Sequence, residues 1–260
     1  MKLISNWLQV SCIIGFFTLV FLSCKKENDN PDTYYGQQVT MGNGTARSYF
    51  VAAKDGTPLT LGVEITDNAF TNLPADPLNF AASTFQLSID QRAKDLTPYD
   101  RLEMEWNVNG HEPPGIYNLP HFDFHFYQMT TAEQKAIPPY EVDSSKFNIL
   151  PPAGFIPAGY IRGPGGVPQM GVHWVDVTSA EFNGQPFTYT MIYGSYNGKV
   201  VFLEPMVTLA YLKSGSSFEK EIRQPLQVSP TNKWYPTTYT VYKNASSGNH
   251  YIELKNFVKK

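Results

Sequence analysis

The stretch "PHFDFHFY", residues 120–127, alternates polar and aromatic side chains. Successive side chains of a β-strand point to opposite faces, so an alternation with a period of two predicts a strand. One face would carry three phenylalanines, and the other would carry His121, Asp123, His125 and Tyr127. The phenylalanine face belongs in a hydrophobic core. The polar face either meets water or lines a cavity, where these side chains could form one wall of a metal site.

Other parts of the chain also predict strands. Sixteen tyrosines and seventeen phenylalanines favour strands, because aromatic side chains pack well on a pleated surface. Asn197-Gly198 and Asn43-Gly44 each separate two strand-forming runs, as in tight hairpins whose turn residues tolerate positive φ. We therefore predict a mainly β fold, a single antiparallel barrel or closed β-sandwich of roughly ten strands with one or two short helices.

Two segments do not fit the strand pattern. Residues 130–137, "TTAEQKAI", predict a short helix that begins with a capping box and ends before Pro138. The Gly/Pro-rich residues 150–171 cannot form a central strand, and the segment is too long for an ordinary turn. We expect an ordered functional loop or a flexible flap there, partly covering the mouth of the cavity.

The N-terminal residues predict export. Residues 1–23 are short and apolar after Lys2, which is typical of a signal peptide rather than a membrane span. The ending "FLSC" resembles a bacterial lipobox, which implies that Cys24 carries lipid. The alternative is an ordinary secretory signal with a chance cysteine. Residues 24–36 are polar and predict a flexible tether, which leaves residues 37–260 as a single β domain.

Charge and cysteine content exclude several classes of function. The formal net charge of −3 argues against a nucleic-acid partner, which requires a basic surface. The chain has two cysteines, and removal of a signal peptide ending at residue 23 would take Cys12 with it. With Cys24 lipidated, no cysteine would remain for a disulfide, a thiolate metal site or a nucleophile.

The spacing within the strand limits how a metal could bind. Residues two apart on a strand are separated by roughly 6.6 Å along the axis, and residues four apart by roughly 13 Å. His121 and His125 therefore cannot share an ion on a straight strand. Either Asp123 with His125 or His121 with Asp123 is the expected chelating pair, and we favour His125 as a ligand.

Two further segments supply candidate ligands. His173 follows the glycine-rich loop, and Glu204 lies in the apolar run "VVFLEPMV", where an ionised carboxylate needs a cation or strong hydrogen bonds. Imidazole and carboxylate ligands suit a divalent transition metal such as zinc, iron, manganese or copper. We expect His125, His173 and Glu204, with His121 or Asp123, to bind it.

Structural explanations of these residues remain open. The histidine face of the strand could be the solvated side of a sheet, and His173 could be a satisfied core histidine. Glu204 could bond an arginine such as Arg162 or nearby backbone amides. His111 lies in a turn-rich loop and could assist proton transfer, as could Tyr127, or it could have no role. His250 is expected at the surface.

Several motifs resemble a known family. "GHEPPGIYNLPHFDFHFY", "MGVHWVD", "EFNGQPFTYTMIYGSYNGKVVFLEPMVTLAYL" and "GTPLTLGVEIT" resemble an uncharacterised family of secreted bacterial β domains, represented by a Thermus protein under extracytoplasmic stress control. The resemblance runs from about residue 37 to residue 257 and implies a mainly β fold and self-assembly into a homo-oligomer. It implies no reaction. The histidines also resemble a cupin metal site, although cupins place their first two histidines two residues apart, not four.

We therefore expect an exported, Bacteroidetes-type lipoprotein held by its lipid at the outer membrane, facing the periplasm or the cell surface. Its His/carboxylate cavity would make it a metal-dependent enzyme acting on a small molecule, with a divalent metal that polarises the substrate or activates water. The alternatives are a non-catalytic lipoprotein that binds a metal or small ligand, and a structural lipoprotein of the envelope-stress response.

Overall fold

The computed structural model describes residues 30–260, and the fold is mainly β. The predicted signal segment and Cys24 lie outside the described residues. Six of the sixteen described strands have four residues or fewer, so the ten longer ones match the predicted number. In chain order the strands are β1 (Asp32–Tyr35), β2 (Val39–Met41), β3 (Gly44–Ala52), β4 (Pro58–Ile65), β5 (Thr84–Ser88), β6 (Arg101–Asn107), β7 (His121–Tyr127), β8 (Tyr160–Arg162), β9 (Val172–Asp176), β10 (Tyr189–Tyr196), β11 (Lys199–Thr208), β12 (Phe218–Glu221), β13 (Trp234–Tyr235), β14 (Thr238–Lys243), β15 (His250–Lys255) and β16 (Val258–Lys259).

The longer strands belong to two antiparallel sheets. The first has the order β1-β3-β4-β15-β14-β12, with β2 also paired to β3, and the second has the order β5-β6-β7-β11-β10-β9-β8. A separate pair, β13 and β16, lies outside both. Of the two predicted arrangements, the β-sandwich fits the described residues, because the strands divide into two packed sheets.

The helices are short but more numerous than predicted. The described chain has four α-helices rather than one or two, and two 3-10 helices. They are α1 (Phe80–Ser83), α2 (Gln91–Leu96), α3 (Thr131–Lys135), α4 (Leu209–Ser214) and the 3-10 segments Asp67–Phe70 and Ala180–Asn183. The predicted helix is α3, and Thr130 and Glu133 form its capping box. The additional α-helices have six residues or fewer, too short to show an apolar period in the sequence.

The main core lies between the two sheets. Phe122, Phe124 and Phe126 of β7 are fully buried in it, as the alternation predicts. They pack among apolar side chains from both sheets, including Phe50 of β3 and Ile252 of β15. This face of the second sheet therefore points into the sandwich, and His121, Asp123, His125 and Tyr127 point to its outer face.

The best-predicted hairpin is confirmed, and a second one is shifted by one residue. Asn197 and Gly198 have φ of 49° and 76° and join β10 to β11. In the first sheet the turn residues are Gly42 and Asn43, not Asn43-Gly44, because Met41 pairs with Gly44. Gly42 has a φ of 51°, and a Cβ there would lie 2.3 Å from the carbonyl oxygen of Thr71.

The first sheet begins inside the predicted tether. Residues 32–35 form β1 and pair with β3, so the ordered chain starts before Gln37. Tyr34 packs against the main core, and its ring stacks on Phe50 with a centroid distance of 6.4 Å. Only two of these four residues are aromatic. A run of four residues is also too short for its periodicity to distinguish an edge strand from a polar linker.

Candidate metal centres

The outer face of the second sheet carries a band of polar side chains. Opposite residues of an antiparallel pair lie on the same face, so the register shows which side chains meet. In β6, Glu103 lies opposite His125 and Glu105 lies opposite Asp123. On the other side of β7, the pairing of Met206 with Asp123 continues a register that places Glu204 of β11 beside His125.

This polar band is buried rather than solvated. All seven residues of β7 are buried, and Glu204 is 1% exposed. A second apolar cluster covers the outer face and includes Tyr117 from the connection between β6 and β7, and Phe187. The ring of Phe187 packs on His121 at 5.3 Å and on Tyr117 at 4.9 Å. The solvated-face explanation of these histidines is therefore wrong.

The first group of candidate ligands is His125, His173 and Glu204, which we call the Glu204 centre. One donor atom from each of these residues lies within 4.8 Å of the others. His125 Nε2 is 3.6 Å from Glu204 Oε1, and His173 Nε2 is 3.7 Å from Glu204 Oε2. Three different strands supply these side chains: β7, β9 and β11. The carboxylate therefore lies between two imidazoles.

Several polar atoms of the Glu204 centre have no hydrogen-bond partner. They are both ring nitrogens of His125 and the Oε2 atom of Glu204. Buried polar atoms in proteins are nearly always paired, because an unsatisfied one costs roughly 1–3 kcal/mol. The predicted alternative of an Arg162 partner for Glu204 is not realised, since Arg162 donates to Gly163, Gly165 and Asn148.

Burial shapes the charge of the Glu204 centre. It lowers the pKa of His125 to about 3 and, with the nearby His111, lowers the pKa of His173 to about 4. Both imidazoles are therefore neutral at pH 7, which is the form that binds metals. Burial also raises the pKa of Glu204, and the neighbouring acids Asp123 and Glu105 raise it further. Neither facing histidine supplies a positive charge for this carboxylate.

His173 is the most exposed member of the Glu204 centre. The His173 side chain is 22% exposed, whereas His125 and Glu204 are each 1% exposed. His173 belongs to β9, whose backbone contacts the Gly/Pro-rich loop through a bond from the Gly163 N–H to the His173 carbonyl oxygen. The loop predicted to cover a cavity thus lies beside the most exposed ligand, and it includes the short strand β8.

The second group is His111, His121 and Asp123, which we call the Asp123 centre. Its candidate donor atoms also lie within 4.8 Å of one another. His111 Nε2 is 3.3 Å from Asp123 Oδ2, and His121 Nε2 is 3.1 Å from Asp123 Oδ1. Asn107 donates its side-chain N–H to Asp123 Oδ2 at 2.8 Å. His121 Nε2 and Asp123 Oδ1 nevertheless have no partner in hydrogen-bonding geometry.

The facing imidazoles decide the charge of Asp123. Burial alone would raise the pKa of Asp123, but His121 and His111 hold it well below its usual range. Burial would also lower the pKa of His111, yet Asp123 opposite raises it above the ordinary value. The two carboxyl groups are thus shifted in opposite directions, because the facing histidines lower the pKa of Asp123 whereas burial raises that of Glu204.

The five predicted ligands therefore come together, but as two centres rather than one. Of the two chelating pairs weighed, Asp123 pairs with His121 and not with His125. Glu204 occupies the place beside His125 because directly opposite residues of neighbouring strands have Cβ atoms about 4.5–5.5 Å apart. Residues two apart on one strand are farther from each other, at roughly 6.6 Å.

The two predicted proton-transfer residues, Tyr127 and His111, lie at different centres. The Tyr127 ring stacks on His125 with centroids 5.2 Å apart, and the Arg101 guanidinium lies 4.5 Å from its centre. Burial raises the pKa of Tyr127, and the nearby acids Glu105 and Glu103 add to this, so the phenol stays protonated. His111 lies in the Asp123 centre.

Sequence reasoning missed the polar partners on β6 and α3. Arg101 donates to Glu103 Oε2 at 3.0 Å and also to Gln134, which in turn donates to Glu103 Oε1 at 3.0 Å. The signal was present in "RLEMEWN", whose charged residues alternate with apolar ones as in the histidine strand. His250 was also misplaced: it is buried and bonded to Asp67 Oδ1 at 2.8 Å.

Comparisons with protein-family models, with curated proteins and with solved structures found no match to this chain. Among residues 30–260, no helix is long and apolar enough to span a membrane.

Proposed function

We propose that the Glu204 centre binds a divalent transition metal, zinc, iron or manganese, and that the protein is a metal-dependent enzyme acting on a small molecule. The observation that carries this proposal is the convergence of His125, His173 and Glu204 from three strands. Two imidazoles and one carboxylate are the protein ligands of many catalytic zinc sites and of non-haem iron sites.

The distances fit a shared ion. Ligand atoms bound tetrahedrally at about 2.1 Å from a metal lie ~3.4 Å from each other. The contacts of Glu204 with His125 and His173 measure 3.6 and 3.7 Å, longer than hydrogen bonds but close to that separation. An ion would also satisfy two of the three buried atoms that have no partner, namely His125 Nε2, which faces Glu204, and the carboxylate Oε2.

The ligand set leaves coordination positions of the ion free for a reaction. Three protein ligands leave coordination positions for water or substrate, and the exposed edge of His173 gives the direction of approach. A divalent ion there would polarise a substrate carbonyl or lower the pKa of a bound water. Tyr127, whose ring stacks on His125, is proposed to help in proton transfer.

We place this activity in the cell envelope. The lipobox-like "FLSC" and the apolar residues before it support export and attachment to the outer membrane through lipid on Cys24. Self-assembly into a homo-oligomer is implied by the family resemblance and stays a prediction. A small molecule is the proposed substrate, and the acidic net charge of −3 argues against nucleic acid.

A second candidate function is metal binding without catalysis. The observation that favours it is burial, since His125 and Glu204 are each only 1% exposed. A site this enclosed could hold an ion without admitting a substrate. The two functions differ in turnover, not in metal content, so the test must measure both.

The test compares the full chain, purified in mild detergent, with Glu204→Gln and with a control, His250→Ala. His250 is a buried histidine bonded to Asp67 and belongs to neither centre. Metal content is measured by plasma mass spectrometry after incubation with zinc, iron(II) or manganese. We expect Glu204→Gln to lose one ion per chain and His250→Ala to lose none. Equal content in all three proteins would refute the metal site.

Activity is measured on the same loaded proteins with a panel of small esters, amides and phosphate esters. We expect the parent and His250→Ala to turn over at least one class, and Glu204→Gln to lose that turnover. Full metal occupancy without turnover of any class would favour the non-catalytic function.

A further inference from the structure

We infer that the Asp123 centre is a second metal site with a structural role. An ion held by His111, His121 and Asp123 would fasten residues 108–120, which connect β6 to β7, onto the outer face of the second sheet. This role differs from the proposed function, because the ion would stabilise the cover of the polar band rather than take part in a reaction.

The orientation of both imidazoles supports metal binding. His111 Nδ1 is 2.7 Å from the carbonyl oxygen of Glu112, and His121 Nδ1 is 2.6 Å from that of Leu119. A carbonyl oxygen only accepts, so each Nδ1 carries the hydrogen and donates it. When the ring is neutral, the lone pair is then on Nε2, the atom that faces Asp123. Histidine ligands of metals are typically held by such a bond from the other ring nitrogen. His111 Nε2 is also within hydrogen-bonding distance of Asp123 Oδ2, at 3.3 Å, and an ion would replace the proton of that contact.

A metal explains the contact between His121 and Asp123 better than a hydrogen bond does. His121 Nε2 lies 3.1 Å from Asp123 Oδ1, within hydrogen-bonding distance, yet neither atom has a partner in hydrogen-bonding geometry. Both residues are at least 97% buried, so solvent does not satisfy them. Two ligands of one ion lie this close while pointing at the ion rather than at each other.

The surroundings suggest a closed coordination shell. Asn107 donates to Asp123 Oδ2 and fixes the carboxylate, as the second layer of a metal site does. Glu105 lies opposite Asp123 in the β6–β7 register and is the candidate for a fourth ligand. Structural zinc sites have four protein ligands, and the three residues of the Asp123 centre with Glu105 would complete such a set.

The ion would stabilise a segment that lacks regular secondary structure. Residues 108–120 contain no strand or helix, and His111 itself is exposed. Their backbone bonds include His111 N–H to the Tyr117 carbonyl oxygen and Leu209 N–H to the Pro120 carbonyl oxygen. Tyr117 packs against Phe187 over the buried histidines, so loosening this segment would uncover the polar band.

The first test is metal stoichiometry in the full chain, compared between His111→Ala, His173→Ala and the double variant. We expect two zinc ions per chain in the parent, one in each single variant and none in the double variant, with two retained in His250→Ala. A His111→Ala variant that keeps the parental content overturns the inference. Loss in His111→Ala alone, with none in His173→Ala, would support this site and count against the proposed function.

The second test asks whether the ion has the structural role. Amide hydrogen exchange is followed in residues 108–120 before and after chelation. We expect chelation to raise exchange in this segment by at least about tenfold in the parent, and to leave it unchanged in His111→Ala, where it is already fast. Unchanged exchange in a parent that has lost both ions would overturn the structural role. Because the His111 side chain is 36% exposed, its replacement should leave the fold intact.

Discussion

On the inner face of β7, Phe122, Phe124 and Phe126 are fully buried among other apolar side chains. On the outer face, His121 and His125 are equally buried. However, Nε2 of His121 and both ring nitrogens of His125 have no hydrogen-bond partner. The inner face stabilises the sandwich through burial of apolar surface. The outer face has the opposite effect, because it buries unsatisfied polar groups.

The two faces of β7 should therefore contribute separately to stability and to metal binding. A change on the inner face should alter the free energy of unfolding and leave the metal content of the folded protein unchanged. A change on the outer face should alter the metal content, and it should change the free energy of unfolding only through protonation. Three predictions, in order of decreasing effect, test this separation.

Phe124→Ala should lower the free energy of unfolding by about 3–5 kcal/mol, because it removes a fully buried aromatic ring and leaves a cavity. Urea unfolding of the metal-free protein measures the change. Leu226→Ala is the matched control, since Leu226 is exposed and should change stability by less than about 0.5 kcal/mol. Loss of metal from the folded Phe124→Ala protein would break the proposed separation of the two faces.

Acid should destabilise the metal-free protein through His125. Burial lowers the pKa of His125 to about 3 in the folded protein, against 6.5 for the free side chain. Between those values the unfolded chain binds a proton that the folded protein rejects, so stability is lost as pH falls from 6.5. At 1.36 kcal/mol per pH unit, about 2–3 kcal/mol should be lost between pH 6.5 and 4.5.

His125→Phe should remove this contribution, because phenylalanine does not titrate, and should leave that of His173, whose pKa burial lowers to about 4. Unfolding free energies of both proteins are measured by urea titration at pH 6.5 and 4.5. The control is Tyr127→Phe, which changes a neighbouring ring without removing an acid-titrating group and should keep the parental pH dependence. The same pH dependence in His125→Phe and the parent would show that burial does not suppress protonation of His125.

Thr130→Ala should have the smallest effect, a loss of about 1 kcal/mol, because it removes the N-cap of α3. This helix carries Gln134, which bonds Arg101 and Glu103 on the outer face. Thermal unfolding and metal content are measured together, with Thr131→Ala as the neighbouring control. A fall in metal content would show that α3 helps to position the centres and would blur the distinction between the two faces.

Individual strands and hairpins could be predicted well from the sequence, but the way in which the strands pair with one another could not. Alternation along 121–127 correctly assigned the two faces of β7, and Asn197-Gly198 correctly joined β10 to β11, because both signals are local. The division of the ligands into two centres depends on the register of β7 with β11, which brings Glu204 rather than Asp123 to His125. Register across strands is a tertiary property, and one sequence does not contain it.

The same limit explains the smaller differences. β1 has only four residues, too few to show a sequence period. These residues form a strand because they pair with β3. The burial of His250 depends on Asp67 and Phe70, both distant in sequence. In each case the local pattern was insufficient, because the deciding contact comes from another part of the chain.

Metal binding at the Glu204 centre is tested by an anomalous-scattering map from crystals of the zinc-loaded full chain, collected above and below the zinc absorption edge. We expect a peak about 2.0–2.2 Å from donor atoms of His125, His173 and Glu204. The peak should vanish below the edge and be missing in Glu204→Gln. A map with no peak between these three residues, in crystals that show all three side chains ordered, would contradict the account.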